Sequence, residues 1–333
     1  MSGNRQLNLF SCEPVHRCSD GILLTDAGLW LDASTPQCLS FVSHAHTDHI
    51  SPHERALLTP PTRRFFDLRL GNHRTDLIEL DYNAPYRLGN STVTLFPAGH
   101  ILGSAQLLIE NNRRTVYTGD LKLRPSPACE TAEVKRCDLL IMEATFGSPE
   151  YVFPCASETD RMLKQEIDNA LNQGLKPVVR AYALGKAQEV VAILSRFGYT
   201  LAVDPSVKEY CAVYESFGVK LGKVASLAES DSAASAEVLI VGTGAAFRDL
   251  KTRFRRGELA HLRTIFVSGW GVDPNVRYRY GVDVVIPLSD HADYYDLIEY
   301  VRQAQPREVL VTHGVPGFAQ HLNQLGFKAR YLG

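Results

Sequence analysis

The stretch SFVSHAHTDHISP, residues 40–52, constrains this chain more than any other. Four of its side chains, His44, His46, Asp48 and His49, are metal-capable and fall within six positions. They follow the apolar run Leu39-Ser40-Phe41-Val42, which reads as a buried strand. The cluster therefore stands just past a strand end, where loops on a rigid scaffold usually carry function. Imidazole and carboxylate suit zinc, manganese or iron better than calcium. The set is also too large for one tetrahedral zinc with an open position, which points to two metals and to further ligands elsewhere.

Those further ligands have to stand at other strand ends. His100 follows the apolar strand 92–97, Asp120 follows 114–118, and His313 follows 308–311. Asp120 after Gly119 also fits an ordinary turn. Parallel strand ends share one rim, so distant positions in sequence can converge on one site.

The rest of the chain shows how that rim is built. With 333 residues, 45% of them hydrophobic, it is long enough for one large domain or two ordinary ones. The first 145 residues read mostly as short strands, among them 92–97, 105–110, 114–118 and 138–143, separated by turn signals such as Gly89-Asn90. After Pro154 the pattern changes. Ser157 with Asp160 resembles a capping box, and Met162, Leu163, Ile167, Ala170 and Leu171 then share one helical face that ends at Gly174. Strand 177–182, helix 186–197, strand 200–203 and a helix over 206–216 follow, an alternation that predicts a parallel sheet. Residues 226–236 read as a surface loop, and 237–242 and 264–268 as strands. From 282 the chain again reads strand-helix-strand-helix-strand. The expected organisation is a first domain over 1–147 that resumes over 281–333, with an α/β domain inserted at 148–280.

A net charge of −2 gives no global basic field, so any nucleic-acid contact must come from local patches. No apolar run is long enough for a membrane span and no signal-peptide pattern opens the chain, so a cytoplasmic protein without membrane contact is expected. The seven cysteines are odd in number, irregular in spacing and without C-x-x-C, as in reduced cytoplasmic proteins.

His44-x-His46-x-Asp48-His49, followed by His100 and Asp120, resembles the metallo-β-lactamase superfamily. The resemblance implies an αββα sandwich with two divalent metal ions, zinc or manganese, on one edge. It assigns His44, His46 and His100 to one metal, and Asp48, His49 and His313 to the other, with Asp120 between them. The segments LLIMEATFG with Glu143, RAYALGKAQE at 180–189, PLSDHADY with His291, and VTHG with His313 resemble the β-CASP nucleases, in which an inserted cap covers the metals. GHILGSAQLLIE, TGDLK and CDLLIMEATFGSPEY are most similar to bacterial ligase-associated DNA exonucleases. The sequence departs from that group at SPEYVFP, where an arginine-tryptophan pair is expected after the tyrosine, which weakens any transfer of DNA-end contacts to Tyr151, Val152 and Phe153.

The implied chemistry is phosphodiester hydrolysis. Two cations about 3.5–4 Å apart lower the pKa of an attacking water and offset charge on the phosphoryl oxygens. His291 suits the proton donor to the leaving alkoxide, with Asp290, Asp293 or Glu143 as the group that tunes it. The resemblance favours Glu143. Lys186, which opens a predicted helix after Gly185, is a candidate phosphate contact. The basic run 248–263, with Arg253, Arg255 and Arg256 and with Phe247 and Phe254 interleaved, has the character of a surface that tracks a strand and stacks a base. Arg63, Arg64, Arg69 and Arg74 read as one exposed side of a helix. The expected substrate is DNA ahead of RNA, with a DNA ligase or another repair protein as partner. An RNA nuclease, a small-molecule metallo-hydrolase and an inactive scaffold are the competing readings.

Overall fold

The computed structural model describes residues 15–229, 232–242, 244–255 and 261–332, without the side chains of 253–255. Three sheets account for the strands. The first runs in chain order: β1 (Val15–Cys18), β2 (Gly21–Leu24), β3 (Leu29–Leu31), β4 (Leu39–Phe41), β5 (Arg55–Leu58) and β6 (Asp76–Glu79). β3 to β6 are parallel, and helix α1 (Pro60–Leu70) makes the crossover from β5 to β6. Two prolines open α1, where a missing N–H costs nothing. The Thr59 hydroxyl caps it by accepting from the Thr62 N–H.

The second sheet holds β7 (Pro85–Leu88), β8 (Ser91–Pro97), β9 (Ala105–Glu110), β10 (Arg114–Tyr117) and β11 (Leu139–Ala144), and after the insertion β18 (Glu308–Gly314) and β19 (Ala329–Tyr331). Its inner face packs Leu95, Leu107, Ile109 and Ile141 against Phe41 and Leu57 of the first sheet. Its outer face packs Leu140, Met142 and Val311 under helices α8 (Tyr294–Ala304) and α9 (Gly317–Gln324). With α1 outside the first sheet, the layers are helix, sheet, sheet, helix, the αββα sandwich.

The insertion builds the third sheet, wholly parallel, from β12 (Lys176–Arg180), β13 (Leu201–Val203), β14 (Val224–Ser226), β15 (Val238–Val241), β16 (Leu262–Val267) and β17 (Val284–Ile286). Helices α2 (Ala156–Asn172), α3 (Lys186–Arg196) and α4 (Pro205–Ser216) contribute to its large apolar cluster, and α6 (Ala245–Arg255) packs Phe247 and Leu250 in a smaller one. Short helices α5 (Ser232–Ser235) and α7 (Val276–Tyr280) complete the set. One apolar cluster joins this cap to the sandwich: Phe65 of α1 lies 5.9 Å from Tyr210 and 5.7 Å from Tyr214 of α4.

Four expectations are revised. β17 pairs with β16, so the chain leaves the cap sheet after Ile286 rather than at 281, because ladder hydrogen bonds group a strand where periodicity cannot. Helix α2 begins after Cys155 with no side-chain cap, and Asp160 pairs instead with Arg196 at 3.0 Å. Residues 226–236 contain a helical turn at Ser232–Ser235. Phe247, offered as a base-stacking group, is buried, with the Arg180 guanidinium 4.0 Å from its ring centre. The side chains of Arg253, Phe254, Arg255 and Arg256 lie outside the described residues. Every described cysteine is free, and among the described residues no helix is long and apolar enough to cross a membrane.

Candidate metal centre and acid group

β8 and β10 both run antiparallel to β9, so they end on the same edge, as do β11 and β18 beside β10. His100, Asp120, Glu143 and His313 come from these four strand ends, and His44 to His49 from the end of β4. The two sheets approach closely there. A side chain on Gly119, which has φ of +54°, would come within 2.6 Å of Ser43 Cβ, so glycine is required beside Asp120. At the end of β18 a register shift pairs Glu143 with Thr312 and Ala144 with Gly314. His313 is the extra residue, at φ of +47°, and the bulge turns it out of the ladder.

Each of the four inner histidines has one nitrogen tied and one left inward. His46 Nε2–H donates to the Leu184 carbonyl at 3.1 Å, and His100 Nδ1–H to the Asp290 carbonyl at 2.8 Å. His49 Nδ1–H donates to Asp32 Oδ2 at 2.9 Å. The Ser43 hydroxyl donates to Asp32 at 2.6 Å and so accepts from His44 Nδ1–H at 2.9 Å. Such outer partners fix the tautomer and the ring plane of a metal ligand.

The inward atoms lack ordinary partners. His44 Nε2 is buried without a hydrogen bond. His46 Nδ1 and His100 Nε2, both left as lone-pair acceptors, face each other at 3.1 Å. Asp120 Oδ2 stands 3.5 Å from His44 Nε2, 3.5 Å from His49 Nε2 and 3.8 Å from His100 Nε2. One ligand atom from each of His44, His46, His100 and Asp120 lies within 4.8 Å of the others. Facing lone pairs need a positive charge between them, and this donor set fits a divalent metal. The second group is more open. Asp48, with a side chain 79% exposed, lies 3.6 Å from His49 Nε2, and the exposed His313 ring is 5.5 Å from the His49 ring.

Charge follows the same division. Burial holds His44 and His100 well below the usual imidazole range and His46 at about 4. Burial also raises Asp120 to about 6. For His49 burial is outweighed by Asp120, Asp32 and Asp48, which hold it at about 10. A cation on Nε2 would take the place of that proton.

His291 stands beside the cluster, its ring 4.7 Å from His100. Its Nδ1–H donates to Glu143 Oε1 at 2.9 Å. Glu143 is buried and also accepts from the Leu121 N–H at 2.7 Å and the Thr145 hydroxyl at 2.5 Å. Burial lowers His291, but Glu143 outweighs it and holds the imidazole at about 9. The other two tuning candidates have stronger partners, although Asp290 also stands 3.9 Å from His291 Nε2. Asp290 pairs with Lys186 at 2.6 Å, and Asp293 caps α8 and bonds Arg124. Lys186, a candidate phosphate contact by sequence, is 3% exposed and ties the cap to the segment that carries His291.

A cleft of about 490 Å³ opens over His46, Asp48, His49, Asp120, His291 and His313. Asp32 escaped the sequence reading, and Arg69 was read there only as part of an exposed helix side. Asp32 accepts from the Ser43 N–H, the Ser43 hydroxyl, His49 and the Tyr117 hydroxyl. It stands just past the apolar strand β3, the same signal that singled out Asp120. Arg69 leaves the last turn of α1 toward the cleft, where its Nη1–H donates to the Thr47 hydroxyl at 2.6 Å.

A family described as the Zn-dependent metallo-hydrolase RNA specificity domain matches residues 275–332, the segment that carries His291 and His313. A protein of Opitutus terrae named a probable DNA ligase is 36% identical over 95% of this chain and 31% of its own length. An RNase J-like protein of Methanocaldococcus jannaschii is 31% identical over 38% of this chain and 33% of its own length. The chain thus spans about a third of the length of these two curated relatives. A crystal structure of a protein of unknown function from Enterococcus faecalis V583 shares the fold, with a TM-score of 0.57 at 16% identity over 83% of this chain and 75% of that one. With the sandwich, the parallel cap and the histidine-aspartate cluster at one edge, the chain belongs to the metallo-β-lactamase superfamily, in its β-CASP nuclease family.

Proposed function

We propose that this chain is a two-metal phosphodiesterase that degrades DNA, working as an exonuclease on single strands or ends in repair. The observation that carries the hydrolytic reading is His291, bonded to Glu143 at 2.9 Å and one ring away from four oriented imidazoles. His44, His46 and His100 would hold one cation, and Asp48, His49 and His313 the other, with Asp120 common to both. Zinc or manganese held there would supply the charge that lowers the pKa of an attacking water and offsets charge on the phosphoryl oxygens.

The remaining steps belong to side chains. Asp48, open to solvent, would take a proton from the attacking water. His291 keeps Nδ1–H on Glu143, which leaves Nε2 as the acid for the leaving oxygen. Lys186 and Asp290 hold the cap against the His291 segment while this happens.

DNA is supported by the Opitutus relative, whose name is that of a DNA ligase and whose similarity runs along nearly this whole chain. A ligase or another repair protein is accordingly the proposed partner. RNA is the second reading, supported by the family description over residues 275–332 and by the RNase J-like relative. Matched DNA and RNA oligonucleotides, labelled at the 5′ or 3′ end and supplied with zinc or manganese, test both. Faster loss of RNA would replace the DNA reading, and no loss of either would remove the nuclease.

A further inference from the structure

The turn Gly269–Val272 has one large side chain, and its neighbours are glycines for a steric reason. A Cβ on Gly269 would lie 2.5 Å from Phe146 Cζ, and one on Gly271 2.7 Å from Val285 Cγ1 and 3.1 Å from the Ile286 backbone. The turn is pressed onto Phe146 on one side and onto β17 on the other. Trp270 between the glycines is not interred with them. It is 38% exposed and lines the cleft that holds Asp120 and His291.

The indole plane is fixed from two directions. Phe146 packs at 4.8 Å with a 57° tilt, and Tyr151 at 5.3 Å nearly edge-on. Phe146 is itself 6.0 Å from the His291 ring, so the indole stands one aromatic ring away from the acid group. Tyr182, 44% exposed, lines the same cleft. A braced, half-exposed indole beside a hydrolytic centre offers a flat apolar face to whatever flanks the scissile bond.

We propose that Trp270 is a stacking platform for the unpaired nucleobase next to the scissile phosphate, a proposal that rests on the nucleic-acid reading above. Every base has a π-face, so such a platform holds a strand without reading its sequence. A base can reach it only by leaving its duplex stack, so the platform selects single strands and frayed ends. Its contribution is uncharged, so the affinity it adds does not fall with salt as phosphate contacts do.

The chain has two tryptophans, Trp30 and Trp270, so Trp30→Phe leaves Trp270 as the only indole. The full chain, loaded with manganese, is titrated with a phosphorothioate oligothymidylate that resists cleavage, and with an abasic phosphorothioate strand of equal length. Thymidylate should quench the indole emission and bind about tenfold or more tighter than the abasic strand, at low and high salt alike. Trp270→Ala should erase that difference, and Trp270→Phe should restore most of it. If Trp270→Ala fails to fold, the quench and the abasic comparison in the Trp30→Phe chain decide alone. Equal affinity for both strands without quenching, in a chain that still degrades oligonucleotides, overturns the platform only. A chain that neither binds nor degrades any oligonucleotide overturns the platform and the nucleic-acid reading together.

Discussion

Asp32 Oδ2 accepts the Nδ1–H of His49 at 2.9 Å, and the same carboxylate bonds Ser43, which orients His44. One residue just past β3 thereby orients proposed ligands of both cations. Every partner of the Asp32 carboxylate is a donor, so Asp32→Asn would set an amide N–H against either the Ser43 N–H or the group of donors that includes His49. Metal affinity should fall about 10–100-fold, as when other outer partners of metal ligands are changed. Titration of the variant with zinc or manganese checks this, and parental affinity would show that His49 needs no such support.

Among the described residues, Asp120 is the one carboxylate paired with His44, His49 and His100 together. Reconstituted protein should approach two metals per chain by elemental analysis. Asp120→Ala should lose both metals, or lose the coupling between them. Full metal content with full activity in that variant would remove Asp120 from the centre.

His291→Ala should keep its metals and lose turnover by about 10²–10⁴-fold. A nitrophenyl phosphodiester should be hurt much less, because its leaving group needs no proton. Glu143→Gln should act in the same direction, since it frees His291 Nδ1. Equal losses on both substrates would mean that His291 is not the donor.

His53 gives a pH dependence away from the metal centre. It is buried, its Nδ1 accepts the Gln37 N–H at 3.2 Å, and burial pushes its imidazole down to about 4. In the unfolded chain it titrates at about 6.5. Above that pH both states hold a neutral ring, and His53 adds no slope. Between about 6.5 and about 4 only the unfolded chain takes the proton, so stability falls as pH drops, by at most about 1.4 kcal/mol per unit. His53→Asn, whose Oδ1 can accept the same N–H, should flatten that slope in urea denaturation. Parallel curves for parent and variant would contradict it.

Arg69 is expected to meet a phosphate at the cleft. Arg69→Ala should weaken oligonucleotide binding and reduce its salt slope by about 0.7 on single strands. An unchanged slope would leave Arg69 with only its bond to Thr47.

What the sequence determined by itself was the chemistry of the edge. His44, His46, His100 and Asp120 each follow an apolar strand, and strand ends are where a sheet must present its polar residues. Helix α2 was legible for a similar reason, since apolar periodicity is local and reflects burial on one face, and the parallel cap followed from the alternation of apolar strands with helices. What only the tertiary structure decided depends on partners distant in sequence. Asp32 became a hub because β3 and β10 bring it to Ser43, His49 and Tyr117. Lys186 was taken by Asp290, and Glu143 rather than Asp290 reached His291 Nδ1, because backbone placement sets which carboxylate faces which cation. β17 joined the cap because its ladder partner is β16. Trp270 faces the cleft because two glycines let its turn press onto Phe146. No spacing in the chain records such contacts, since each depends on the packing of segments far apart in sequence.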